Sequence, residues 1–285
     1  MKTINTLVKD IYAVIEGNGG WDETVNEYFK ETIGTTMMSR LNPGERKEGT
    51  LRMSSIGQPC ERKLWYQTNH PKEGEVLRPE TRFKFLYGDI LEDLILSLAV
   101  AAGHKVEGHQ DTMDIKGIKG HRDAVIDGVT IDVKSASTYS YKKFREHKLE
   151  TEDPFGYITQ LTSYVKAGEN DPIVKDKEGG AFLAVDKQHG HICLDYYNFK
   201  DTGHLDKIEE LYDERIRSAS DKTTTPTRGF SPEPEGKSGN LKLGVNCSYC
   251  DFKSKCHPTM RTFLYSRGPV FLTKVVREPN VKEIT

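Results

Sequence analysis

The chain has 285 residues, 35% hydrophobic and 29% charged, which suits one large domain or a domain with appendages around a real core. A net charge of −2 excludes a globally basic nucleic-acid binder, so any phosphate-contacting surface must be local. No apolar run reaches transmembrane length and the start "MKTINTLVKDIYAVIEGNGGWDE" lacks a secretory apolar region and cleavage site, so a soluble cytoplasmic protein with no membrane partner is expected, whose five cysteines point to a metal or cluster rather than to disulfides.

Residues 3–16 and 21–33 read as helices broken by glycines at 17–20, and no internal repeat is present. "LNPGERKEGT" reads as a linker that closes an N-terminal helical extension, residues 1–50. "SSIGQPCERKLWYQ" reads as a serine-started helix. Residues 80–102 place Phe83, Leu86, Ile90, Leu94 and Leu98 near helical spacing. Residues 51 to 87 hold seven Lys/Arg against four Glu, and Arg62 is a candidate DNA contact there. "HKVEGHQDTMDI" reads as a strand feeding a hairpin.

That hairpin is "GHRDAVIDGVTIDVKSAS", with Asp127-Gly128 as a two-residue type I′ turn. The turn pairs Ile126 with Val129, Val125 with Thr130, Ala124 with Ile131 and Asp123 with Asp132, and brings His121 opposite Lys134. Alternation puts Ala124, Ile126, Val129, Ile131 and Val133 on a core face, and Asp123, Asp132 and Lys134 on the other. Opposed carboxylates share a proton or hold a cation, and a hard divalent ion such as Mg²⁺ suits oxygen ligands. An exposed, solvated polar face is the plain alternative.

"YSYKKFREHK" mixes four Lys/Arg with three aromatics, making Lys142, Lys143 and Arg145 candidate DNA-binding residues, or an ordinary solvated surface. "EDPFGYITQLTSYVKAGEN" reads as a helix capped by Asp153, with Pro154 at its first position and Gly168 at its end. "AFLAVDKQHGHICLDYYNF" reads as a second hairpin turned at His189-Gly190, and residues 204–220 as a charged amphipathic helix. Residues 221–240 are a Pro/Gly/Ser/Thr linker, and residues 241–285 carry the cysteine cluster and a short tail. The order of elements implies an α/β (α+β) fold with a central mixed sheet flanked by helices.

Cys247, Cys250 and Cys256 form C-x2-C-x5-C, a spacing that favours one shared metal centre. Cys60, at the start of a predicted helix, is the better fourth ligand. Cys193 lies inside a predicted strand and reads as core. His257 is an alternative ligand, and spacing alone does not choose between zinc and an iron–sulfur cluster.

These residues resemble the PD-(D/E)XK nuclease superfamily, most closely its RecB-like branch of AddB-type, CRISPR-associated and phage-encoded exonucleases, over roughly residues 54 to 257. The hairpin is similar to the family's second and third motifs, which implies Asp123 and Asp132 as metal ligands, joined by the Val133 backbone carbonyl, and Lys134 as the catalytic lysine. "QLTSY" resembles the branch's Q-x3-Y motif, carried by Gln160 and Tyr164, one helical turn apart. Gln160 would position substrate or Lys134, and Tyr164 would contact the DNA strand. "GDILEDLIL" resembles the first motif, with Glu92 at the ligand position and Asp89 and Asp93 as rivals.

The resemblance implies a restriction-endonuclease-like core over residues 51–220. It also implies a 4Fe–4S staple from Cys60, Cys247, Cys250 and Cys256 that joins the N- and C-terminal parts of the nuclease. The expected activity is a Mg²⁺- or Mn²⁺-dependent deoxyribonuclease. It would act as an exonuclease on DNA ends or single strands in phage or bacterial DNA processing or recombination, in the host cytoplasm for a phage-encoded member. The alternatives are a non-catalytic DNA-end binder or adaptor with a nuclease fold, working with a replication or recombination partner, and a zinc-stabilised nucleic-acid-binding module.

Overall fold

The computed structural model describes residues 2–42 and 49–284, and residues 43–48 of the predicted linker lie outside the described residues. The chain forms two compact units: residues 1–47, 52–57 and 78–213 make the first, and residues 48–51, 58–77 and 214–285 the second. The sequence-based boundaries differ. The N-terminal helices belong to the first unit rather than to a separate extension, and the segment carrying Cys60 groups with the C-terminal cysteines.

The first unit is built on a five-stranded mixed sheet in the order 106–107, 124–126, 129–136, 179–186 and 192–198. The Asp127-Gly128 turn forms as predicted, with φ of 53° and 91°. It sets Ala124 against Ile131, Val125 against Thr130 and Ile126 against Val129. Strand Val129–Ala136 then pairs in parallel with Gly179–Asp186, which turns back antiparallel into Ile192–Asn198. Parallel strands need a long crossover, here through helices Thr138–Arg145 and Tyr157–Ala167.

Ala124, Ile126, Val129, Ile131 and Val133 all lie in one apolar cluster with Leu7, Ile11, Leu96 and Ala99. The opposite sheet face buries Phe182 and Ala184 under Phe144, Ile158 and Leu161. The N-terminal helix Leu7–Ile15 is therefore part of the core, and buried His104 anchors it: its ring nitrogens reach Asp127 in the hairpin turn at 2.7 Å and Asp10 at 3.2 Å.

Several predicted elements are displaced. The second helix is Glu23–Leu41, capped by Asp22 and carried through Gly34. The long helix is Pro79–Ala101, but its predicted stripe is only half-buried and Phe83 is exposed. Its buried line runs instead through Asp93, Ile95, Leu96 and Ala99, because helices Leu7–Ile15 and Glu23–Leu41 both pack on it. The predicted strand over 104–115 splits into Val106–Glu107 and Thr112–Ile115, the latter paired with Ile118–His121 in a separate two-stranded ribbon. The predicted helix at "SSIGQPCERKLWYQ" is two helices, Met53–Ile56 and Glu61–Asn69, since Gly57 and Pro59 interrupt the ladder.

The second unit joins helix Glu61–Asn69 to the C-terminal segment. Glu61 pairs with Arg215 at 2.8 Å, the Trp65 indole donates to the Asp221 carbonyl, and Tyr66 stacks on Phe252. Residues predicted as linker and tail supply a second sheet, in the order 283–284, 261–265, 268–274, 241–242 and 233–234. Among the described residues, no helix is long and apolar enough to cross a membrane.

Candidate active site and cysteine cavity

The hairpin delivers its acids differently from the simple extrapolation. The antiparallel ladder ends at Ala124↔Ile131, so Asp123 and Asp132 are not a ladder pair, and His121 faces Thr112 rather than Lys134. Asp123 instead turns its carboxylate onto the strand it has left: Oδ2 accepts from the Val133 N–H at 2.7 Å. The N–H and C=O of one strand residue point to the same side. The Val133 carbonyl therefore faces the region of Asp123 where no strand continues.

Asp132 is 1% exposed, and Lys134 Nζ lies 2.5 Å from its Oδ2. Burial raises the pKa of both Asp123 and Asp132, and the charge of Glu92 pushes each further in the same direction. The Lys134 ammonium opposes both shifts. Desolvation alone would lower the Lys134 pKa, but the two aspartates outweigh it and raise it. Glu92, Asp123, Asp132 and Lys134 thus act electrostatically on one another.

Glu92 accepts from Gln110 Nε2 at 2.6 Å and lies 3.8 Å from His109 Nε2. Its two rivals have further partners, although Asp93 also lies 3.6 Å from the same His109 Nε2. Asp89 pairs with Arg40 at 2.7 Å, and Asp93, 2% exposed, is hydrogen-bonded by Thr36. Burial raises the pKa of each.

Helix Tyr157–Ala167 starts three residues later than Pro154 predicts. Asp153 still organises its entry, accepting from the N–H groups of Phe155, Gly156 and Ile158. The N-cap is Gly156 at φ 78°, where a Cβ would meet the Gly57 carbonyl oxygen at 2.1 Å. This helix carries Gln160 and Tyr164. Tyr164 is 2% exposed, with its pKa raised first by burial and then by the charge of Asp132. Its phenol is hydrogen-bonded by Gln160 and is within electrostatic reach of Asp132 and Asp123.

Tyr157 carries no motif signal and was not identified from the sequence. Its ring lies 4.7 Å from Lys134 Nζ, close enough for a cation–π contact. The predicted DNA-binding lysines and arginines mostly have acidic partners. Lys142 and Arg145 lie 3.7 and 3.6 Å from Glu146, and Lys143 lies 3.5 Å from Glu152. Arg62 donates to the Tyr66 phenol.

Cys60, Cys247, Cys250 and Cys256 line one solvent-open cavity of about 420 Å³, together with Arg62, Lys63, Arg228 and His257. None is in a disulfide. Cys60 occupies the N-cap position of Glu61–Asn69, and one-turn helices Val245–Ser248 and Lys253–Cys256 carry Cys247 and Cys256. Burial and then the neighbouring thiols Cys250, Cys60 and Cys256 push the Cys247 thiol up to about 11. Among the described residues, buried His257 finds no hydrogen-bond partner for its Nε2. Cys193 sits apart, paired with Ala184 in the first unit's sheet. Among the described residues, no three His, Cys, Asp or Glu side chains are gathered closely enough to hold a metal as they stand. The donor chemistry nonetheless fits a thiolate-bound centre: four thiols share one cavity, and the cations around it favour their ionised forms.

No protein-family model matches the chain, and no curated protein matches it. A solved structure described as "Crystal structure of SSO0001" is 15% identical over 80% of this chain and 95% of that chain, with a TM-score of 0.39. A likeness that loose carries no argument about fold or function.

Proposed function

We propose that the chain is a metal-dependent DNA nuclease of PD-(D/E)XK type that hydrolyses phosphodiester bonds at DNA ends or in single strands. The observation that carries this reading is that Glu92, Asp123, Asp132 and Lys134 act electrostatically on one another, with the Lys134 ammonium paired to Asp132. Burying like charges is costly unless a cation or proton is bound with them. A purely structural role leaves that cost unexplained.

Glu92, Asp123, Asp132 and the Val133 carbonyl would hold Mg²⁺ or Mn²⁺, an oxygen-rich set suited to hard cations. Such an ion supplies an activated water and charge neutralisation at a scissile phosphate. Lys134 adds a positive charge beside the phosphate and orients the attacking water. Gln160 holds the Tyr164 phenol, which lies within electrostatic reach of both aspartates. In the second unit, Cys60, Cys247, Cys250 and Cys256 would hold a 4Fe–4S cluster as a fold clamp with no part in hydrolysis.

The test is an anaerobic assay on end-labelled single-stranded and duplex DNA with Mg²⁺, Mn²⁺ or EDTA. Cleavage with either metal and none in EDTA is expected. Intact DNA under all three conditions, from folded protein, overturns the reading.

A further inference from the structure

The first turns of the long helix are unusual for a water-facing surface. Phe83, Phe85 and Tyr87 are 69%, 55% and 40% exposed, interleaved with exposed Arg82 and Lys84. Neither Arg82 nor Lys84 has an ion-pair partner among the described residues. The side of this helix that bears Phe85 leads to the proposed active site. Phe85, Gly88 and Glu92 fall at spacings of three and four, so they lie in one line along the helix. Seven residues place Phe85 ~10 Å along the axis from Glu92. Between them the helix packs closely on the sheet at Gly88, where a Cβ would stand 3.0 Å from Ser135 Oγ. Phe85 is therefore an exposed ring flanked by cations, on the same line of the helix as Glu92.

We propose that Phe85, with Arg82 and Lys84, is a base-stacking platform that receives the unpaired end of a DNA strand and leads it toward Glu92. An exposed ring beside cations suits nucleobases and phosphates together, because every base has a π-face and every linkage a negative charge. Duplex DNA keeps its bases stacked internally and offers the ring nothing, so the platform selects single strands. Phe83 lies about 200° around the helix from Phe85 and does not share this path. The inference rests on the nuclease reading for the direction of the strand, but not for its binding.

The experiment measures binding in EDTA, where cleavage plays no part. Fluorescence anisotropy of a labelled single-stranded oligonucleotide and of a blunt duplex is compared for wild type, Phe85→Ala, Phe85→Leu, Phe85→Trp and Phe83→Ala. Phe85→Ala and Phe85→Leu should each weaken single-strand binding by about tenfold, the scale of one lost stacking contact. Phe85→Trp should retain it, and Phe83→Ala and all duplex affinities should stay near wild type. Leucine keeps an apolar surface without a π-face, so its loss would exclude a merely hydrophobic contact. Wild-type affinity in Phe85→Leu, or an equal loss in Phe83→Ala, overturns the platform. Single-strand binding that depends on Phe85 in a protein that cleaves nothing supports the platform and overturns the nuclease reading alone.

Discussion

Replacing Asp123 by asparagine should stabilise the metal-free protein while removing its ability to hold a metal. Burial raises the Asp123 pKa well above its ordinary value of 3.8, and the charges of Glu92 and Asp132 raise it further. The folded chain therefore binds a proton more tightly on Asp123 than the unfolded chain does. That stabilisation is fully present below the unfolded pKa and is lost as pH rises through the folded one. Neutralising Asp123 removes its repulsion from Glu92 and Asp132, which the Lys134 ammonium offsets only in part, and should gain ~1–2 kcal/mol. Asparagine keeps the shape, and its side-chain carbonyl still accepts from the Val133 N–H that now donates to Asp123. In a domain of this size the gain corresponds to a rise in Tm of ~2–8 °C. Thermal denaturation followed by circular dichroism, in EDTA, at several pH values from ~4 to ~8, reads it out. The difference should shrink toward the acid end, where wild-type Asp123 is already protonated. Added Mn²⁺ should raise the wild-type Tm and leave the variant unmoved. A variant less stable than wild type at neutral pH, or a gain that ignores pH, would refute the reasoning.

The Asp127-Gly128 turn was legible because both residues need positive φ, and once it is set, alternation fixes the core face from Ala124 to Val133. The same extrapolation failed at the next pair, Asp123 with Asp132. Lys116-Gly117 makes a second turn, at φ 52° and 82°, and draws Ile118–His121 into its own ribbon. Lysine is not a residue that announces such a turn, and Asp114 accepting from the Gly117 N–H supports it through a contact that the pattern does not display. Buried Arg122, held between Asp111 and Asp171 at 2.7 Å each, then marks the point where the chain leaves the ribbon before Asp123. Glu92, Gln160 and Tyr164 were singled out only through motif resemblance, and in the structure Glu92 and Tyr164 lie within electrostatic reach of Asp132. Tyr157 was not singled out, because its relation to Lys134 exists only across the fold. The grouping of Cys60 with the C-terminal segment is equally non-local: Glu61–Arg215 and Trp65–Asp221 leave no trace in local periodicity.

Lys134→Ala should abolish cleavage while the protein stays folded, since Lys134 is held by Asp132 and Tyr157 at the edge of the site rather than in the apolar core; wild-type turnover by the purified variant would remove it from the mechanism. Glu92→Ala should raise the metal concentration needed for activity more than Asp89→Ala, because Asp89 is committed to Arg40; a metal titration with the reverse order would shift the ligand by one turn. Cys60→Ser concerns the second unit. Cys60 lies 187 residues before Cys247, and a covalent link across a loop that long removes at most ~5 kcal/mol of unfolded-chain entropy. A cluster bound by both would act in the same way, and the gain grows only slowly with loop length. The segments that bear these cysteines are also joined without it, by Glu61–Arg215, by the Trp65–Asp221 hydrogen bond, and by Glu75 with Lys253. The variant should therefore fold, but lose iron and brown colour and melt at a lower temperature. Cys193→Ser should keep both, since Cys193 belongs to the first unit's sheet and lines no part of the cavity. Iron content and Tm of the two purified variants decide it. Full iron in Cys60→Ser with loss in Cys193→Ser would exchange the ligands, and full iron in both would transfer the fourth position to His257, whose buried Nε2 has no other partner among the described residues.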